Sequence, residues 1–281
     1  MNCKKMNWAL ALALPLLCMS VQAATISYLG SAQNFGVLAG STITNTGTTT
    51  IHGDIGVSPG TAIADNGTIV LNGIQHLNDG VAQQAQIDAL SAYTSLASQP
   101  FTTNLSGQDL GTVGTLSPGV YRFDSSAQLT GTLTLDAMND PNALFIFQIG
   151  SALTSASNSS VSLLNGDAST GLYFQVGSSA TLGTGSIFVG NILADQSITL
   201  TTASILLSGR AIALNGAVTL DSNQITNDCS VSDCGTSTDF DSVGFSGGNV
   251  SAVPVPAALP LMATALGIFG LSRRKNKSTA A

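Results

Sequence analysis

Glutamate is absent from this 281-residue chain, and all fifteen of its acidic residues are aspartates. Basic residues are nearly as scarce. Lys4, Lys5, Arg273, Arg274, Lys275 and Lys277 stand near the two ends, leaving only Arg122 and Arg210 between. The middle therefore carries a formal charge of 2 − 15 = −13. No surface there neutralises phosphates, which excludes nucleic acid as a partner. Histidine is limited to His52 and His76, and the chain has no H-E-x-x-H, no Walker loop and no clustered His with Cys. No catalytic residue, metal site or cofactor is expected. Asp54, Asp140, Asp167 and Asp221 sit beside Gly, Asn or Ser, where turn hydrogen bonding is their plainest role. A polysaccharide-cleaving enzyme would need more cations than Arg122 and Arg210 supply.

Cysteine is also rare. Residues 1–23 read as a signal peptide: Lys4 and Lys5, an apolar run from Trp8 to Leu17, and a Val21-Gln22-Ala23 cleavage site. Its removal takes Cys3 and Cys18 and leaves Cys229 and Cys234. In an oxidising compartment a small disulfide loop is the default for that pair. A metal site would need further ligands, and His52 and His76 are distant in sequence. From 229 to 252 the chain is a Ser/Gly/Asp-rich linker. Residues 253–281 then place Val253-Pro254-Val255-Pro256 before an apolar run and a basic cluster. That order suits a sorting tail with transient inner-membrane insertion, its cations held in the cytoplasm.

What the chain has in abundance is short strands of β-branched and hydroxyl residues. SALT (151–154), SATL (179–182), SITL (197–200) and AVTL (217–220) are variants of one phrase. Thr154, Thr181, Thr199 and Thr219 are spaced by 27, 18 and 20 residues. A period near 20 with Gly at the breaks reads as stacked β-solenoid coils, because a single coil cannot bury its apolar face alone. The domain spans 24–228. One segment differs: about 79–98 is rich in Ala and Gln, with Val81, Ala85, Leu90, Tyr93 and Leu96 at helical spacing. It predicts a single helix lying along the solenoid.

A second pattern is hydroxyl, small, hydroxyl, variable. It occurs at Thr46-Gly47-Thr48-Thr49, Thr130-Gly131-Thr132-Leu133, Ser155-Ala156-Ser157-Asn158, Thr184-Gly185-Ser186-Ile187 and Thr202-Ala203-Ser204-Ile205. In an extended strand the first and third positions share one side. Stacked coils would thus present files of hydroxyls outward. A stiff, uncharged lattice of threonine hydroxyls and methyls can hold water ordered as in ice. A passive surface or matrix solenoid is the alternative use of the same strands.

Several phrases resemble the microbial ice-binding family built on a discontinuous β-solenoid. They are LGSAQNFGVLAGSTITNTG (29–47), GDIGVSPG (53–60), LSPGVYRF (116–123), DPNALFIFQIGSALT (140–154), FQVGSSATLGTG (174–185) and GRAIALNGAVTLDSNQIT (209–226). The resemblance implies a mainly β, right-handed solenoid of triangular section with one long flanking α-helix. It places the first coil beside the last, with about 57–78 capping one end. It implies ice as the partner, through a flat face of Thr-Ala/Gly-x-Thr/Asn repeats. Carried over, that face would comprise Thr46, Thr48, Thr49, Thr130, Thr132, Ser155, Ser157, Asn158, Thr184, Ser186, Thr202 and Ser204. The C-terminus resembles the PEP-CTERM sorting tail, which implies an exosortase-type peptidase cutting near Val253–Pro256 and an extracellular or cell-surface destination. Val255 stands where that motif often has Glu.

Overall fold

The computed structural model describes residues 28–140, 142–166 and 170–227. The expected signal peptide, Asp167, Cys229, Cys234, the expected linker and the expected sorting tail with Val253–Pro256 lie outside the described residues. A short 3-10 helix (Gly30–Asn34) leads into the first coil of β1 (Phe35–Ala39), β2 (Thr42–Thr46) and β3 (Thr48–His52). A second coil follows: β4 (Asp54–Val57), β5 (Ala62–Asp65) and β6 (Thr68–Asn72), then β7 (Gln75–Leu77). Helix α1 (Gly80–Ala97) returns along the molecule to β8 (Thr103–Asn104) and β9 (Thr115–Leu116). Next come β10 (Gly119–Phe123), β11 (Ala127–Leu129) and β12 (Thr132–Asp136), then β13 (Leu144–Ile149), β14 (Leu153–Ser155) and β15 (Ser160–Leu164). The third of these coils is β16 (Gly171–Val176), β17 (Ala180–Leu182) and β18 (Ile187–Val189). The fourth is β19 (Asn191–Ala194), β20 (Ile198–Leu200) and β21 (Ile205–Leu207). The last is β22 (Ala211–Ala213), β23 (Val218–Asp221) and β24 (Gln224–Thr226).

Every strand pair is parallel, and the strands form three sheets. Sheet A runs β7-β4-β1-β22-β19-β16-β13-β10-β8. Sheet B runs β11-β14-β17-β20-β23-β2-β5, and sheet C runs β6-β3-β24-β21-β18-β15-β12-β9. The first coil thus sits between the last coil and the second, so the solenoid is discontinuous in sequence. Buried Arg210 helps tie this seam, donating from Nε to the Gln33 carbonyl at 2.8 Å and from Nη1 to Asn191 Oδ1 at 2.8 Å. Inside, Phe174 lies between Phe147 and Phe188 at centroid distances of 4.7 and 4.7 Å, and Tyr121 extends the stack. Truncating such a buried ring to alanine costs about 3–5 kcal/mol.

Strand β13 reads as an almost continuous apolar run because both sides of sheet A are covered. Phe145 and Phe147 face the interior, while Ile146, Tyr173, Leu193 and Ile212 pack under α1. Asp79 caps the helix, accepting from Val81 N and Ala82 N. The buried helix face is Ala82, Ala85, Ala89, Ala92 and Leu96, whereas Val81 and Leu90 are exposed. This corrects the expected apolar stripe. Four alanines let the helix axis approach the sheet, Leu96 fills the space at its C-terminal end, and Val81 and Leu90 lie on the outer side. Residues 57–78 do not form a separate cap; they belong mainly to a regular second coil, which is itself the end of the stack.

Candidate functional site

Sheet A is hidden beneath α1, so sheets B and C are the two broad open faces. On sheet B, side chains alternate in and out with the strand pleat. Leu153, Ala180, Ile198, Val218 and Ile43 point inward and are buried. The next residue on each strand points outward, and register lines these up as Thr154–Thr181–Thr199–Thr219–Thr44. Five threonines on five neighbouring strands form one unbroken file. Gln128 stands at one end of it and Ala64 at the other.

With strands about 4.8 Å apart, the file is about 19 Å long. At the seam two neighbouring hydroxyls of the file meet: Thr44 Oγ1 donates to Thr219 Oγ1 at 3.2 Å. Because threonine is β-branched, each side chain is stiff about χ1 on a strand. The flanks are low and mostly neutral. Two residues before the file stand Ser179, Ser197, Ala217 and Thr42, and two after it Gly183, Thr201, Asp221 and Thr46. Asp221 is the ionisable member of this flank. The Thr202 hydroxyl, opposed by desolvation and aided by Ser222 and Thr46, holds its carboxyl below the ordinary aspartate range.

Sheet C differs. Its corresponding outward file is Thr132–Ser160–Ile187–Ile205–Gln224–Thr50–Val70, mixing hydroxyls, branched apolar groups and an amide. Ile187 is 42% exposed, so its apolar end meets water.

The hydroxyl pattern singled out from the sequence falls at the corner between these two sheets. Three of its five instances overlap β-turns: in 156–159, 183–186 and 201–204 the fourth N–H donates to the first carbonyl at 3.3, 3.1 and 3.1 Å. The third residue of each, Asn158, Gly185 and Ala203, has φ of +59°, +66° and +56°. Glycine and asparagine suit that left-handed position, whereas Ala203 holds it against its Cβ, so in these three instances the phrase overlaps turn chemistry. The corner breaks strand alternation and turns some hydroxyls inward. Thr49, Ser155, Ser186 and Ser204 are 0%, 3%, 0% and 0% exposed, which corrects their placement on an outward face. Ser155 Oγ accepts from Gly183 N at 2.9 Å, and Ser204 Oγ accepts from Asn223 Nδ2 at 3.0 Å.

The remaining candidates are exposed but do not share one file. Thr46, Thr130, Ser157, Asn158, Thr184 and Thr202 lie along the ridge, while Thr48 and Thr132 begin sheet C strands. The five instances start two residues after Thr44, two after Gln128, one after Thr154, and three after Thr181 and Thr199. Similar words are therefore not equivalent positions. The aligned threonines were signalled differently, by an apolar–Thr pair at the heart of the repeated phrase. Arg122 and Arg210 form no acidic cleft: Arg122 pairs with Asp124 at 2.7 Å over the Phe101 ring, and Arg210 is buried at the seam. Among the described residues no group of three or more His, Cys, Asp or Glu side chains could hold a metal, and no helix is long and apolar enough to cross a membrane.

The sequence profile described as ice-binding-like matches residues 37–226, which is most of the chain. The chain belongs to the ice-binding-like family. It is 57% identical over 208 residues to an ice-binding protein of Nostoc sp. (strain HG1), covering 74% of this chain and 77% of that one. It is 32% identical to one from Leucosporidium sp. (strain AY30), covering 66% and 77%. The crystal structure of an ice-binding protein from an Antarctic biological consortium matches with a TM-score of 0.66 and 44% identity, covering 76% of this chain and 95% of that one. A structure described as the basis of antifreeze activity in an Arctic yeast ice-binding protein matches with a TM-score of 0.62 and 28% identity, covering 73% and 95%.

Proposed function

We propose that this protein adsorbs to ice through sheet B and inhibits ice growth or recrystallisation. The observation that carries this reading is the in-register file Thr154–Thr181–Thr199–Thr219–Thr44. A single exposed hydroxyl contributes little, since it exchanges one water contact for another. A rigid row of five gains because its groups are already ordered, so little conformational entropy is lost on adsorption. The methyls keep the intervening surface shallow and apolar, and the sheet holds the spacing. An adsorbed molecule then pins the crystal, and ice advances only as curved fronts between pinned points, which lowers the local freezing temperature.

The contact surface in this reading is the sheet B file with the ridge hydroxyls Thr46, Thr184 and Thr202 at its margin. The protein reaches ice by export: residues 1–23 direct it across the inner membrane, and an exosortase-type peptidase acts near Val253–Pro256 to leave it extracellular or at the cell surface. The basic cluster after the apolar run supports that order. Cys229 and Cys234 close a disulfide outside the inner membrane. Thermal hysteresis and recrystallisation assays on the purified protein test the central reading. Shaped, arrested crystals are expected; crystals that grow as in buffer alone refute it.

A further inference from the structure

The two ends of the solenoid are finished differently. At the β8/β9 end, residues 105–114 fold over the stack and insert buried Leu105 and Leu110, with Val113 packed beside them. Asp109 pins this plug, accepting from Gly111 N at 2.8 Å, Thr130 N at 2.9 Å and Thr130 Oγ1 at 2.7 Å. The opposite end has no such plug among the described residues. There β5, β6 and β7 are the edge strands of the three sheets. The inner residues Ile63, Ile69 and Leu71 are only partly buried, Leu77 is exposed, and Ile74 is 62% exposed.

From this asymmetry we propose that the β5–β6–β7 end is an interface for a second copy of this chain, joined through antiparallel pairing of the two β6 edges. An open edge carries unpaired N–H and C=O groups, so its fitting partner is another strand edge, not merely an apolar surface. Strand β6 is the longest of the three end strands and reads Thr68-Ile69-Val70-Leu71-Asn72, without charge or proline. Under a two-fold axis through Val70, Ile69 of each copy faces Leu71 of the other, and Thr68 faces Asn72. The edge is therefore complementary to itself, as an isologous contact requires. The plug at the far end stops the assembly at two copies.

Part of the edge is occupied in the single copy. Asp65 Oδ2 accepts from Ile69 N at 3.0 Å, and Asp54 Oδ1 accepts from Ile74 N at 2.8 Å. Pairing displaces the first of these bonds in each copy, and the contact is small, so association is weak and concentration-dependent. Joining sheet C to sheet C sets each copy's sheet B against the partner's sheet A. Both threonine files stay open, on different sides of the assembled rod.

Analytical ultracentrifugation of the purified protein over a wide concentration range tests this. The wild type is expected to shift from one copy towards two. Val70 is 49% exposed, so Val70→Lys leaves the coil intact while placing like charges opposite one another, weakening association by roughly fivefold. An equal mixture of Val70→Lys and Val70→Glu is expected to restore it. Thr115→Lys, on the edge strand at the plugged end, is expected to leave association unchanged. A wild type that stays single at every concentration overturns the proposal, as does Val70→Lys associating like the wild type or Thr115→Lys weakening it equally. A single copy whose Ile69 and Leu71 backbone edge is protected from hydrogen exchange assigns the end to another part of the same chain and also overturns it.

Discussion

Sheets B and C are laid down by the same coils, over the same core, at the same spacing, yet they present different chemistry to water. The inward residues are interchangeable between them: Leu153, Ile198 and Val218 in one, Leu133, Phe188 and Ile225 in the other. Outward, sheet B repeats threonine on five adjacent strands, whereas sheet C changes from Thr132 to Ser160 to Ile187 to Gln224. In these two sheets burial constrains the inner half of every strand and says nothing about the outer half. A uniform outer file is therefore not a consequence of folding. Identical side chains also make a level surface, which a mixture of serine, isoleucine and glutamine cannot.

The comparison breaks most sharply at the centre of the file. Thr199→Tyr raises a bulky ring above sheet B, and both thermal hysteresis and recrystallisation inhibition are expected to fall to near background. Ile205→Tyr, on the neighbouring face of the same coil, is expected to retain most activity in the same assays. Both positions are surface sites, so thermal unfolding should shift by no more than about 0.5 kcal/mol in either variant. Equal loss in the two variants would remove the distinction between the faces.

A gain of function sharpens it next. Combining Ile187→Thr, Ile205→Thr and Gln224→Thr would give sheet C a continuous hydroxyl file from Thr132 to Thr50. Recrystallisation inhibition is expected to improve severalfold, less than the loss caused by Thr199→Tyr. Smaller still is the effect at the ridge: Thr184→Tyr or Thr202→Tyr should reduce activity only partly, because those side chains border the file. Complete loss there, with Thr199→Tyr active, would move the contact to the corner.

The smallest effect concerns acid. Asp221 is held below its ordinary value in the folded protein, so its contribution to stability is present above the unfolded pKa and lost as pH falls through the folded one. Asp65, Asp79, Asp88, Asp109, Asp124 and Asp136 shift in the same direction. Chemical denaturation should be flat from pH 7 to 5 and weaken below about pH 4, the ordinary aspartate range. Asp221→Asn should make that decline slightly shallower.

The repeat of SALT, SATL, SITL and AVTL made the solenoid legible, since apolar residues alternating at a period near 20 fit few other architectures. The helix was legible too, from Asp79 at its start and the absence of glycine after Gly80. Its packing face was not, because alanine gives a weak periodic signal beside Val81 and Leu90. The site was half legible. The threonines of sheet B stood inside the repeated phrase, but a second hydroxyl pattern was equally regular, and Gly47, Gly185 and Ala203 in it mark turns.

What the amino-acid order determined by itself was the coil, since alternation and turn residues act over a few positions. It also determined the acidic, cation-poor surface. What only the tertiary structure decided was which hydroxyls share a plane. That depends on register between strands far apart in sequence, above all the pairing of Thr44 with Thr219 across the seam. Inter-coil hydrogen bonds and the buried rows set that register, and a one-residue slip would turn the whole threonine file into the core.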